Sequence, residues 1–272
     1  MSMRAIGLFD SGIGGLSILR EIRRLLPHED VLYFADQAHV PYGRRSMRQI
    51  RAFSVGITRF LLDRQVKLIV LACNTASAAA LHHLRATFPD TPFVGMEPAV
   101  KPAAERTITG RIGVLATSAT FQGKMYASLL ERFAEGKIVL QQTPHGLVER
   151  IEKGDLDSLE TRAILQQSIA PLLKQNIDAL VLACTHYPFV SNLIAEMVGP
   201  AVIVIDPADG VARWTERLLE QCELSGPPDH VGSVTFLSTG DVHHLGSMAQ
   251  RLIGETGERL EFRWDGDQLV SK

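Results

Sequence analysis

Short apolar runs alternate with helical patterns along almost the whole chain. The runs that read as strands are Ile6–Phe9, Val31–Phe34, Leu68–Ala72, Phe93–Val94, Ile112–Leu115, Ile138–Leu140, Ala179–Ala183, Val202–Ile205 and Val234–Leu237. Between them, apolar residues recur every three or four positions. Met47, Ile50, Phe53, Ile57 and Phe60 form one such stripe, Leu165, Ile169 and Leu172 a second, and Val211, Trp214, Leu218 and Cys222 a third. Near-continuous apolar strands alternating with helices predict parallel sheets covered on both faces. Near the end of the chain, TGERLEFRW alternates Leu260, Phe262 and Trp264 and reads as a closing strand.

The pattern occurs twice. IGLFDSG around Asp10 matches IGVLATS around Thr117, VLAC ending at Cys73 matches VLAC ending at Cys184, and FVGMEP at Glu97 matches VIVIDP at Asp206. The three pairs keep their order, each about 110 residues apart, a period that marks duplicated domains and not a solenoid. The expected architecture is α/β, with two pseudosymmetric α/β domains, mainly parallel sheets and the active site in the cleft between them. Residues 1–97 with 208–272 form the first domain and 98–207 the second, the C-terminal segment returning to the first half.

Ligands in parallel α/β sheets sit outside the carboxyl ends of the strands, and there the apolar runs break into polar residues. The breaks are Asp10-Ser11, Asp36, Cys73-Asn74-Thr75, Thr117-Ser118-Ala119-Thr120 and Cys184-Thr185-His186. If the halves face one another, both thiols reach one cleft from opposite sides. Exchanging a proton at a stereocentre with inversion needs an acid/base group on each face, and a cysteine can serve either way because its neighbours shift its pKa. One strand-end cysteine is ordinarily core packing; two in matching repeats, each followed by polar groups, favour chemistry. Cys222, on the third helical stripe, reads as core.

Composition narrows the partners. With 46% hydrophobic and 21% charged residues the chain is a folded globular protein. A net charge of −2 argues against nucleic acid as the main partner. No apolar stretch is long enough for a membrane helix, and the N-terminus lacks the apolar core of a secretion signal, so the expected location is the cytoplasm. Three cysteines make no disulfide framework and are expected as free thiols.

Several motifs keep two readings. SGIGG after the first strand has the look of a nucleotide loop, but Ser17 stands where the dinucleotide fingerprint needs its third glycine, and Asp10 would repel a phosphate. Asp10 is either a polar partner to a reacting group or, with Ser11, a helix cap. His186 either shifts the acidity of Cys184 or completes a turn. Zinc is not expected, since no CxxC occurs and Cys-Thr-His is poor ligand spacing. The pairs His82-His83 and His243-His244 read as surface residues.

Taken together, FDSGIGGL at 9–16, YFADQAHVPYG at 33–43, ACNTASA at 72–78, ATSAT at 116–120, ACTHYP at 183–188, IDPA at 205–208 and STGD at 238–241 resemble the bacterial glutamate racemases, cofactor-independent members of the aspartate/glutamate racemase superfamily. The resemblance runs nearly end to end. It implies that Cys73 takes the proton from D-glutamate and Cys184 from L-glutamate, with Asp10 assisting the first thiol and Glu152 and His186 the second. It also implies that Ser11, Pro41, Tyr42, Gly43, Asn74, Thr75, Thr117, Thr120 and Thr185 hold the ammonium and carboxylates of the substrate. No cofactor and no metal are expected, and the family implies a homodimer supplying D-glutamate for peptidoglycan. The chain departs from the family pattern at TPHGLVERIEKG, where Glu149 rivals Glu152 for the accessory position. It starts only a few residues before its first strand, and no activation by a cell-wall precursor is expected. The competing readings are an aspartate racemase, a non-catalytic amino-acid-binding protein and a nucleotide-dependent ligase or kinase. His186 after the second Cys-Thr favours glutamate over aspartate.

Overall fold

The computed structural model describes residues 4–272. Its strands, in chain order, are β1 (Ile6–Asp10), β2 (Val31–Ala35), β3 (Leu68–Leu71), β4 (Phe93–Gly95), β5 (Arg111–Ala116), β6 (Ile138–Gln142), β7 (Ala179–Ala183), β8 (Ile203–Ile205), β9 (Val234–Ser238), β10 (Glu258–Asp265) and β11 (Gln268–Ser271). The helices are α1 (Leu16–Leu25), α2 (Met47–Asp63), α3 (Asn74–Thr87), α4 (Val100–Arg106), α5 (Ser118–Phe121), α6 (Lys124–Phe133), α7 (Leu147–Glu152), α8 (Leu159–Leu173), α9 (Ser191–Val198), α10 (Ala208–Gln221) and α11 (Val242–Ile253).

Two sheets form, and the repeat is visible in their order. The first runs β11-β10-β9-β2-β1-β3-β4 and the second β6-β5-β7-β8. The segment β2-β1-β3-β4 therefore matches β6-β5-β7-β8 strand for strand. All pairings are parallel except the terminal hairpin of β10 and β11. Strands buried on both faces explain the continuous apolar runs. Along β3, Leu68 and Val70 face one core while Ile69 and Leu71 face another. One core is continuous between the halves, and each sheet has a separate core on its other face.

The returning segment does more than close the sheet. β9 pairs in parallel with β2, β10 pairs in parallel with β9, and α10 packs along α1. Three expectations need correction. The turn at Asp265–Asp267 carries a further strand, β11, which the alternating pattern of TGERLEFRW did not announce. Cys222 is exposed and not core. The buried face of α10 runs through Ala208, Val211, Ala212, Thr215 and Leu219, leaving Trp214 outside it and Cys222 just past the last turn. His243 is exposed, but His244 is only partly so and holds a hydrogen bond described below. Among the described residues no helix is long and apolar enough to cross a membrane.

Candidate active site

The carboxyl ends of β1, β3, β5 and β7 meet across one small cavity. Ser11, Cys73, Asn74 and Thr75 line it from the first half, and Thr117, Cys184, Thr185 and His186 from the second. Pro41, Tyr42 and Gly43 close a third side, and the enclosed volume is about 10 Å³, room for roughly one water. Both cysteines are buried.

At two of these strand ends the polar residue has a local cause. Cys73 is the N-cap of α3, and its sulfur accepts from the Ala76 N–H at 3.5 Å. Thr117, after β5, likewise caps α5, its hydroxyl accepting from the Thr120 N–H at 3.3 Å. A cap residue leaves the strand extended and turns its side chain toward the helix N-terminus, which here is the cleft. The helix N-terminus favours a thiolate, yet burial dominates and, with the Asp10 charge nearby, pushes the Cys73 thiol well up.

The two thiols have different partners. The Cys184 sulfur lies 3.8 Å from His186 Nδ1, and His186 Nε2 lies 2.5 Å from Glu152 Oε1. Burial opposes a charge on His186, but the Cys184 sulfur and the Glu152 carboxylate outweigh it and hold its pKa well above 6.5. Asp10 lies behind the cavity, fully buried, and burial raises its pKa in spite of His186 and the Gly12 N–H. It accepts from Gly12 N at 3.1 Å and from the Thr185 hydroxyl at 3.3 Å, so it braces the loop and does not cap α1.

Two of the three glycines of SGIGG make room for the opposite half. A Cβ on Gly12 would fall 2.0 Å from Glu152 Oε1, and one on Gly14 would fall 2.4 Å from both His186 Nδ1 and Thr185 Oγ1. The site of a nucleotide phosphate is thus filled by side chains, and the Ile13 N–H donates to Glu152 Oε1 at 2.8 Å. Ser17, the departure from the fingerprint, shares its hydroxyl proton between the carbonyls of Gly14 at 2.9 Å and Thr185 at 3.0 Å. A glycine there would lose that tie between the halves.

Polar groups suited to a zwitterion line the rest. The hydroxyls of Thr75 and Thr117, on the cavity wall, form a triangle with that of Thr120, which is fully buried outside the lining, with edges of 2.9, 3.0 and 3.2 Å. The Asn74 amide is buried with neither its oxygen nor its nitrogen hydrogen-bonded. An orphan of this kind costs stability unless a ligand satisfies it. Tyr42 is held by Asp36, whose carboxylate accepts from the Tyr42 hydroxyl at 2.7 Å, His39 Nδ1 at 2.9 Å, the Thr239 hydroxyl at 2.9 Å and Trp264 Nε1 at 2.8 Å.

The structure separates Glu149 from Glu152. Glu152 points at His186, whereas Glu149 pairs with Arg44 in an adjoining pocket. One lining residue, Val148, and one neighbour of the site, Tyr187, have no role in the reading above. Val148 belongs to the apolar face of α7, and burial, with Cys184 close by, pushes the pKa of the buried Tyr187 phenol well up. Tyr187 follows the Cys-Thr-His run directly, which could have flagged it; Val148 has no such marker. Among the described residues no group of three or more His, Cys, Asp or Glu side chains is placed to hold a metal ion.

Comparison with known proteins supplies the context. Residues 6–214 match the family model described as Asp/Glu/Hydantoin racemase. A glutamate racemase of Herpetosiphon aurantiacus is 49% identical over 252 residues, covering 93% of this chain and 99% of that protein. The crystal structure of the Francisella tularensis glutamate racemase in complex with D-glutamate superposes with a TM-score of 0.82 at 30% identity, covering 94% of this chain and 96% of that one. The Escherichia coli glutamate racemase, solved with L-glutamate and the activator UDP-MurNAc-Ala, gives 0.84 at 32% identity over 97% and 100% of the two chains.

Proposed function

The chain belongs to the Asp/Glu/Hydantoin racemase family and racemises glutamate, and we propose that it does so with two thiols and no cofactor. Cys73 as thiolate removes the α-proton of D-glutamate, and the Cys184 thiol returns a proton to the opposite face, giving L-glutamate. The reverse reaction exchanges the roles. Each passage leaves one thiol protonated and the other ionised, so successive turnovers alternate direction until solvent exchange resets them. Asp10 acts beside Cys73, and the Glu152–His186 pair moves a proton to and from Cys184.

One observation carries this reading: the two cysteines occupy equivalent strand ends in pseudosymmetric halves and line a single cavity. Asn74, Thr75, Thr117, Thr120, Thr185 and Ser11 supply hydrogen bonds for the ammonium and two carboxylates, with Pro41, Tyr42 and Gly43 as the third wall. The substrate ammonium offsets the burial that holds Cys73 neutral. On this reading the halves, 1–97 with 208–272 and 98–207, part to admit the amino acid to the narrow cavity between them. The enzyme works in the cytoplasm as a homodimer, independent of nucleic acid and membrane, and provides D-glutamate for peptidoglycan.

The test uses single-thiol variants. Cys73→Ser and Cys184→Ser should each lose racemisation followed by circular dichroism, because a serine hydroxyl is too weak a base near neutral pH. N-hydroxyglutamate needs only one base, since proton removal expels its leaving group. Cys73→Ser should then consume the L form and Cys184→Ser the D form. The same enantiomer preference in both variants would refute the two-faced assignment.

A further inference from the structure

The STGD stretch lies outside the proton-transfer cavity, yet it is tied to one arm of it. Beyond Ser238, at the end of β9, the Asp241 carboxylate accepts from the N–H groups of His243 at 2.8 Å and His244 at 2.9 Å, capping α11. The cap fixes the first turn of the helix, and that turn carries the half-buried His244. Its Nε2 lies 2.7 Å from the carbonyl oxygen of Glu152. A carbonyl only accepts, so Nε2 carries the proton.

Glu152 is the last residue of α7, a helix of six residues. So short a helix has little stability of its own, and its final carbonyls need outside donors. The N–H groups that close it run from Lys153 and Asp155 to Arg150 and from Gly154 to Ile151, leaving the Glu152 carbonyl to His244. Two residues on, Arg251 of α11 donates to the Gly154 carbonyl at 3.1 Å. The backbone of Glu152 is therefore pinned to α11 while its carboxylate receives Ile13 N–H and His186 Nε2.

We propose that His244 is a positioning residue for the Cys184 arm: it anchors the backbone of Glu152 so that the carboxylate holds His186 against the thiol. This rests on the two-thiol reading above. The chain of contacts runs from the Asp241 cap through His244, Glu152 and His186 to Cys184, and none of it touches Cys73. Loss of the anchor should consequently slow one proton transfer and leave the other alone.

His244→Gln keeps an N–H at the reach of Nε2, whereas His244→Asn is too short; both are polar at a half-buried position. Circular dichroism time courses with unlabelled and α-deuterated D- and L-glutamate, with thermal melts alongside, separate the possibilities. Because enantiomers have equal free energy, kcat/KM must fall equally in both directions in any variant. The isotope effects are free to differ. In His244→Asn, kcat/KM should drop about 3- to 10-fold for one lost orienting hydrogen bond. The isotope effect with α-deuterated L-glutamate should rise, as removal of its proton by Cys184 becomes more limiting, while that with α-deuterated D-glutamate falls. His244→Gln should return toward the parent. Parental rates in His244→Asn, isotope effects that move together, no recovery in His244→Gln, or an early melt with the parental pair of isotope effects would each overturn the proposal. A parent that shows no racemisation of glutamate would instead bring down the two-thiol reading itself.

Discussion

Replacing Gly14 by alanine adds one methyl group where the structure leaves no room for it. The new Cβ would sit 2.4 Å from His186 Nδ1, 2.4 Å from Thr185 Oγ1 and 2.5 Å from His186 Cε1, against an ordinary contact of 3.4 Å or more. Something must therefore give by about 1 Å, and if His186 serves Cys184 as proposed, that displacement costs about 100-fold in rate. Neither neighbour is a flexible tail. The His186 ring is fixed between Cys184 at 3.8 Å and Glu152 at 2.5 Å, and the Thr185 hydroxyl is bonded to Asp10 at 3.3 Å. The backbone at Gly14 has no positive φ, so the penalty is steric and not conformational. Overpacking at a buried site costs about 1–3 kcal/mol, and in a chain of this size each kcal/mol moves Tm by about 2–4 °C. Circular dichroism time courses with D- and L-glutamate should show kcat reduced far more than stability alone explains. Gly210→Ala is the control. Nothing lies within 4 Å of its Cβ and it sits in α10, so it should gain up to about 1 kcal/mol of stability and keep the parental rate. A Gly14→Ala enzyme with parental kcat and Tm would refute the argument that SGIGG exists to let the opposite half in.

Two further predictions concern stability. Lys67 and Glu29 form a buried ion pair beside the first residues of β2 and β3, at the far end of the sheet from the cleft. Lys67→Met strands the Glu29 charge and should cost about 3–5 kcal/mol in denaturant unfolding, with kcat of the folded enzyme unchanged; an unshifted midpoint would contradict the pairing. His186 has a folded pKa held well above the 6.5 of an ordinary imidazole. The stability it lends is complete below that ordinary value and is lost as pH rises through the folded one. The parent's Tm should fall across that alkaline window more steeply than that of His186→Gln, and parallel profiles would remove the charged His186.

Much of the fold can be read along the chain because its strands are buried on both faces. The apolar run shows the strand, and the polar break shows its carboxyl end, as at Ala183-Cys184. The duplicated order follows from matched breaks. Helix faces are harder. On α10 the stripe through Trp214 and Leu218 is nearly as apolar as the one that is buried, and Thr215 hides in the core with its hydroxyl on the Val211 carbonyl at 2.9 Å. Periodicity cannot rank two faces when the buried one carries a threonine that satisfies itself.

The site was legible where its residues follow strands and illegible where they face strands from afar. Glu149 and Glu152 stand three apart on α7, so they share a face and local spacing cannot choose between them. What separates them is tertiary: Arg44 meets the first and His186 the second. The same holds for the glycine loop. Gly12 and Gly14 look like a phosphate cradle because the cradle and this loop need the same thing, a backbone that another group can approach closely. The approaching group here is a carboxylate and an imidazole of the opposite half, and Ile13 and Glu152 lie 139 residues apart. A glycine records that something comes near; only the fold says what. The carboxylate that fills the space beside Gly12 also holds His186, so one side chain both packs the two halves together and orients the imidazole next to Cys184.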